Sequence, residues 1–152
     1  MRAEPQGWLA VGGDSGAISE SAKRGEVLFY TDPVAGCFRC HGGSDFSDAT
    51  AVVSHNTALY PDDPRKFKTP TLRNIAVTAP YMHDGSIATL EEVLDHYAAG
   101  GRARSNPYKD SRMKPIALTP RNRADLIEFL RSLTDEQLLH DPRFANPWQQ
   151  SK

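Results

Sequence analysis

The chain has little of what would make it disulfide-built, membrane-spanning or nucleic-acid-binding. It holds only two cysteines in 152 residues, so at most one bridge is available, and a zinc site would lack its second pair of ligands. No apolar run approaches the roughly 20 residues that a membrane span needs. Charge of one sign is also scarce: 18 Lys and Arg stand against 19 Asp and Glu, for a net charge of −1. That balance gives neither a nucleic-acid footprint nor a polybasic membrane anchor. No convincing alternation of a strand and no internal repeat is present. The opening residues Met1-Arg2-Ala3-Glu4-Pro5-Gln6 carry no hydrophobic signal region. What remains is length for one small domain, mostly helical, with a single core.

Both cysteines fall in Cys37-Phe38-Arg39-Cys40-His41, the spacing of a covalent attachment site for a c-type haem. Two thiols three positions apart can each form a thioether to one vinyl group of the same porphyrin. The following residue then sets an imidazole under the iron as proximal ligand. A redox CxxC and half of a zinc knuckle are the alternatives. A redox motif should open a helix after a hydrophobic strand, whereas this one follows the turn-rich Asp32-Pro33-Val34-Ala35-Gly36. Thioether attachment takes place outside the cytoplasmic membrane. The expectation is therefore a periplasmic protein whose export signal has been removed or lies upstream in a longer chain.

Four segments read as helical. Ser19 is an N-cap for a helix to Tyr30, with Ala22, Gly25, Leu28 and Phe29 on one face. Gly25 in its middle costs about 1 kcal/mol against Ala, which points to close contact with another helix. Thr89-Leu90-Glu91-Glu92 has the capping-box pattern and starts a helix that ends near Ala98-Ala99-Gly100-Gly101. Thr119 caps a third with Pro120 at its first position, and Leu126, Ile127, Phe129, Leu130 and Leu133 follow at helical spacing. One or two further turns are expected within 134–140. Segments 42–68 and 100–118 read as loops, and 141–152 as a polar tail.

Gly25 and Phe29, four apart ahead of the CxxCH, together with Asp125-Leu126-Ile127-Glu128-Phe129-Leu130, resemble the crossing first and last helices of class I cytochrome c. The resemblance makes Gly25, Phe29, Leu126 and Phe129 the crossing residues. It implies an all-α, class I cytochrome c-like fold with long loops around one covalently bound haem. The middle of the chain narrows this further. Phe67-Lys68-Thr69-Pro70-Thr71-Leu72-Arg73-Asn74, then Thr78-Ala79-Pro80-Tyr81-Met82-His83-Asp84-Gly85, then Thr89-Leu90-Glu91-Glu92-Val93 resemble the C-terminal haem domain of the bacterial di-haem cytochrome c peroxidases and their MauG relatives. That family has two CxxCH motifs, and this sequence has one. The half it lacks is the N-terminal one, which in the family holds the peroxide-reacting haem. By the resemblance, residues 1–13 are a linker or the end of a missing domain, with Trp8-Leu9-Ala10 before the join at Gly12-Gly13. Residues 14–140 are the haem domain.

The resemblance also supplies site candidates. Tyr97 falls where the peroxidases have a methionine and MauG a tyrosine as sixth iron ligand. Met113, ahead of the last helix, resembles the methionine of the class I loop. Met82, His83, His96 and His55 are weaker candidates, and tyrosine, methionine and histidine are all established haem ligands. Arg73 and Lys68 are candidates for pairing with haem propionates. The backbone carbonyls at Thr78 and Pro80 match positions that help bind an inter-domain calcium in the peroxidases. His55-Asn56 resembles a recurring family pair with no role readable from the residues, and His140 lies in the polar tail. Two function classes follow. One is the electron-transfer part of a peroxidase or MauG-like oxidoreductase, working with an N-terminal peroxidatic domain and a small redox donor. The other is a stand-alone monohaem electron carrier.

Overall fold

Three capped helices and a set of long, cross-linked loops make up the computed structural model, which describes residues 18–32, 34–48, 53–146 and 148. The expected linker, with Trp8-Leu9-Ala10, lies outside the described residues. Each helix begins where a side chain accepts from the first free backbone N–H groups. For α1, Glu20–Tyr30, the cap is Ser19, which accepts from Ala22 N at 3.1 Å. For α2, Leu90–Ala98, Thr89 and Glu92 form a full capping box. For α3, Pro120–Ser132, Thr119 accepts from Asn122 N and Pro120 occupies the first turn. A single short turn of helix, α4, Glu136–Leu139, follows under an Asp135 cap. Among the described residues there are no strands, only the isolated bridges His55↔Phe67 and Tyr81↔Ile87.

The α1–α3 pair carries the fold. Gly25 faces Asp125, and a Cβ built on Gly25 would run into the Asp125 carbonyl and lie 2.8 Å from Phe129 Cβ. The missing side chain is what lets the two backbones meet. Below this contact Phe29, Phe46 and Phe129 pack ring to ring, with centroids 5.2 to 6.0 Å apart, in tilted and edge-on arrangements that aromatic pairs favour. Ile87, Leu90, Leu94, Leu126, Leu130 and Leu133 extend the core. Leu28, placed on the buried face by its spacing, is only partly covered, while Glu26 beside Gly25 is buried.

Beside the glycine contact, Asp125 accepts from Ser21 Oγ at 2.5 Å and from Arg24 Nε and Nη2 at 2.9 and 2.6 Å. Arg24, then Ser21, holds this carboxyl below the usual aspartate value. A lowered folded-state pKa adds stability above the unfolded value near 4, and that stability is lost as pH falls through the folded value. The expected result is that Asp125→Asn melts earlier than the parent at pH 7 and that the gap narrows as pH falls below about 4. Thermal melts across that range check it, and a constant gap between the two would contradict it.

The loops are held by buried asparagines rather than by regular structure. Asn56 Nδ2 donates to the carbonyls of Asp63 at 2.6 Å and Arg65 at 2.8 Å, and its Oδ1 accepts from Ala58 N at 2.9 Å. Asn106 Nδ2 donates to Tyr60 O and Asp63 O, and Asp110 N donates to Asn56 O at 3.0 Å. Buried backbone groups without a ladder need such partners. Segments 54–67 and 103–112 are thereby tied into one layer over α2.

Candidate haem site

A 3₁₀ turn, Cys37–Arg39, with Cys40 as its C-cap, carries the two thiols and is entered through Gly36 at φ 61°, a backbone conformation that favours glycine. His41 N closes the turn onto Cys37 O at 2.9 Å, which sets the imidazole beside the cysteines. The His41 ring is then fixed by a hydrogen bond from Nδ1 to Phe46 O at 3.0 Å. That bond selects the tautomer and leaves Nε2 as the nitrogen free to face a metal. Burial pushes His41 below the ordinary histidine range, with the carbonyls of Phe46 and Pro70 acting in the opposite sense. The result is a neutral ring, the form in which histidine ligates.

The thiols are not those of a redox pair. Burial pushes Cys37 up to about 12, and burial likewise raises Cys40, whereas reactive cysteines sit in sites that lower the pKa. Neither cysteine is in a disulfide. Ala35, Phe38, Ile75, Met82, Val93 and Leu118 form an apolar wall that is only partly covered, packed like Cys37 against the core. Two unpaired thiols on one turn, an imidazole with one nitrogen committed, and a half-covered apolar wall fit a covalently held haem. They do not fit a zinc knuckle, which needs four donors.

Tyr97 stands in the last turn of α2 and is partly buried. Desolvation pushes its phenol up to about 12, and the Cys40 and Cys37 sulfurs are near enough to add to the rise. Its ring stands edge-on to that of His96, with centroids 5.2 Å apart. The other distal candidates are placed differently. His96 is buried with Nε2 on Thr57 O at 2.9 Å and Nδ1 near Arg102 N at 3.3 Å, so neither ring nitrogen is left for a metal. His83 is exposed and stacked on Phe67, with centroids 3.9 Å apart. Met82 packs at the edge of the core. Met113 is partly buried in the loop before α3, its N–H on Asp110 O.

Arg73 and Lys68 are both exposed. Arg73 donates to Ser44 O at 2.6 Å and pairs with Asp45 at 3.5 Å, bracing the loop after His41. Thr78 and Pro80 are exposed on either side of Ala79. His140 is exposed against Glu136.

One feature of the site was not legible in the residues. His55 is buried between two carboxylates, Asp48 Oδ2 at 2.5 Å from Nε2 and Asp110 Oδ2 at 2.7 Å from Nδ1. Arg112 covers Asp110 at 2.9 Å and donates to Arg39 O, inside the CxxCH, at 3.1 Å. Arg112 holds the Asp110 carboxyl far below the usual range. Cys40, Asp48 and His55 bring potential ligand atoms within 4.8 Å of one another. The flagged pair His55-Asn56 was the available signal. The partners lie 7 to 57 residues away and share no spacing rule.

Comparison with known proteins agrees with this geometry. The family model for cytochrome c matches residues 22–134. The chain is 38% identical over 141 residues to the methylamine utilization protein MauG of Methylorubrum extorquens, covering 82% of this chain and 37% of that one. It is 32% identical over 185 residues to the cytochrome-c peroxidase IdrP1 of Denitromonas iodatirespirans, covering 93% and 48%. Among solved structures, a MauG-like protein associated with microbial copper homeostasis superposes with a TM-score of 0.77 at 38% identity, over 87% of this chain and 49% of that one. The Y463M variant of the diheme peroxidase BthA from Burkholderia thailandensis shares the fold, with a TM-score of 0.63 at 21% identity over 79% and 43%. The chain spans less than half the length of these curated relatives. From the crossing helices, the CxxCH turn and these matches, the chain belongs to the cytochrome c family, whose members carry covalent haem c, and its relatives include MauG and cytochrome-c peroxidases.

Proposed function

We propose that the chain holds one haem c by thioethers from Cys37 and Cys40, with His41 Nε2 and Tyr97 as iron ligands, and serves as the electron-transfer domain of a di-haem peroxidase or MauG-like oxidoreductase. The observation that carries this reading is the His41 Nδ1 bond to Phe46 O beside two protonated, unpaired thiols. Bound haem supplies a one-electron couple. The chain's own residues do the rest. Phe46 O fixes the proximal ring and raises its basicity as a ligand. The apolar wall of Phe38, Ile75, Met82 and Val93 excludes water and so tunes the potential. Electrons pass to or from a peroxide-reacting haem in a separate N-terminal domain, with a small redox protein as donor, in the periplasm. Arg73 and Lys68 remain candidates for the propionates. The carbonyls of Thr78 and Pro80 would need several more oxygen ligands to hold calcium.

A second reading is a stand-alone monohaem carrier with Met113, partly buried in the loop before α3, as the distal ligand. Two measurements test the first reading. The pyridine haemochrome should be that of haem c, and the haem should resist acid-acetone extraction. Extraction would overturn the attachment. The chain alone should turn over peroxide poorly, since His41 and Tyr97 would hold the iron and leave peroxide no open position. Robust peroxide-dependent oxidation of a reduced cytochrome by this chain alone would overturn the division of labour.

A further inference from the structure

A polar cleft of about 310 Å³ opens beside the attachment turn, lined by Ser54, Lys66, Tyr108, Lys109, Asp110 and Arg112 among others. Its charge is not that of the chain. The protein as a whole is net −1, yet this cleft gathers three cations around one carboxylate. That carboxylate, Asp110, is already taken by Arg112 at 2.9 Å and by His55 at 2.7 Å. Lys66 and Lys109 have no ion pair among the described residues. Lys66 is exposed and Lys109 half-buried, and neither charge is paired with a carboxylate of those residues. Tyr108 is 50% exposed in the same cleft, an amphipathic ring of the kind enriched at interface centres.

The cleft also has a fixed relation to the haem turn. Arg112 spans from the cleft to Arg39 O at 3.1 Å, and Arg39 is the exposed residue between the two cysteines. Segment 54–67 is tied to the same loop by Asn56 and Asn106. A body seated on Lys66, Tyr108 and Lys109 would thus lie one side chain from the covalent edge of the cofactor, on a surface that does not yield when it binds.

We propose that this cleft is the docking face for a redox protein whose own electron-exchange edge is ringed by carboxylates. The inference rests on the reading of the chain as a haem-bearing electron-transfer domain and adds the partner's chemistry and its seat. Cations around a cleft concentrate anions and speed encounter by roughly 10- to 1,000-fold at low salt, and the effect fades as the Debye length shrinks from about 30 Å at 0.01 M to about 3 Å at 1 M. Rim charges of this kind act on the association rate.

The test uses holoprotein whose haem content is first verified by its haemochrome, so that failure of haem attachment is seen separately. Redox-inert hexacyanochromate(III) should broaden the amide signals of residue 66 and residues 108–112 selectively. Hexacyanoferrate(III) takes one electron from the reduced holoprotein and becomes hexacyanoferrate(II), with no bond made or broken. Its rate should exceed that of the cation tris(phenanthroline)cobalt(III), after correction for driving force, by about tenfold or more at 10 mM salt. Raising salt should remove the advantage. The double variant Lys66→Glu and Lys109→Glu should abolish both the broadening and the advantage, while Lys23→Glu on α1 should leave them. Broadening elsewhere, or rates indifferent to the Lys66 and Lys109 reversals in fully haem-loaded protein, would overturn the docking face while leaving the haem reading intact.

Discussion

Replacing Tyr97 by phenylalanine should raise the reduction potential of the holoprotein by more than about 100 mV and let ascorbate reduce it. Burial pushes the Tyr97 phenol up to about 12. Holding it as a phenolate near pH 7 therefore costs about 7 kcal/mol, which the metal must return. A ferric ion, with its higher charge and hardness, returns more than a ferrous ion, so ligation by Tyr97 is tied to the oxidised state. Removing the oxygen releases that bias. Met113→Leu should leave the spectrum and the potential unchanged, because in this reading Tyr97 and not Met113 is the second iron ligand. If Met113→Leu alone moves the spectrum, the methionine is the ligand and the electron-carrier reading prevails.

A second large effect is expected at the helix crossing. Gly25→Ala should lower the stability of the holoprotein by about 3 kcal/mol or more, and its melting temperature by roughly 6–12 °C. Alanine's helix propensity alone would stabilise α1 by about 1 kcal/mol. Against that, the new methyl meets a backbone carbonyl of α3 and the Cβ of Phe129, and neither can rotate away. The helices must part, which loosens the Phe29, Phe46 and Phe129 cluster beneath them. Gly43 provides the contrast. It has φ +67° and nothing within 4 Å of an added Cβ, so Gly43→Ala should cost only the left-handed strain of about 1–2 kcal/mol. A Gly25→Ala protein that melts with the parent would mean the crossing is looser than its geometry.

The helices were legible in the sequence because their start signals are local. Ser19, Thr89 and Thr119 each act within three residues, and Pro120 and the Gly100-Gly101 stop lie next to what they punctuate. The cytochrome fold followed from Gly25, the CxxCH and the α3 pattern taken together. Tyr97 entered as a candidate through the family resemblance, and the Thr89 cap sets its place in α2. The His55 cluster was not legible. Asp48 comes from one loop and Asp110 and Arg112 from another, with no periodicity to link them, and the long-range bonds of His55 and Asn56 bring them together. A charged cleft assembled from such loops leaves no mark on overall composition either, since its lysines are balanced by acids elsewhere.

The contact between α1 and α3 has a consequence for how this domain can be strung into longer chains. Ser21 and Arg24 bond Asp125 across more than 100 residues, so the domain's first and last long helices lie against each other. The chain therefore enters and leaves at one corner, separated by no more than the length of α3, about 20 Å at 1.5 Å per residue. A domain with neighbouring ends can be spliced into a host loop, duplicated in tandem or circularly permuted with little strain on the joints. A short Gly-Ser bridge from Thr134 back to Ser19, with new ends opened in the exposed turn at Pro61 and Asp62, should give a permuted protein that still closes the Gly25 crossing.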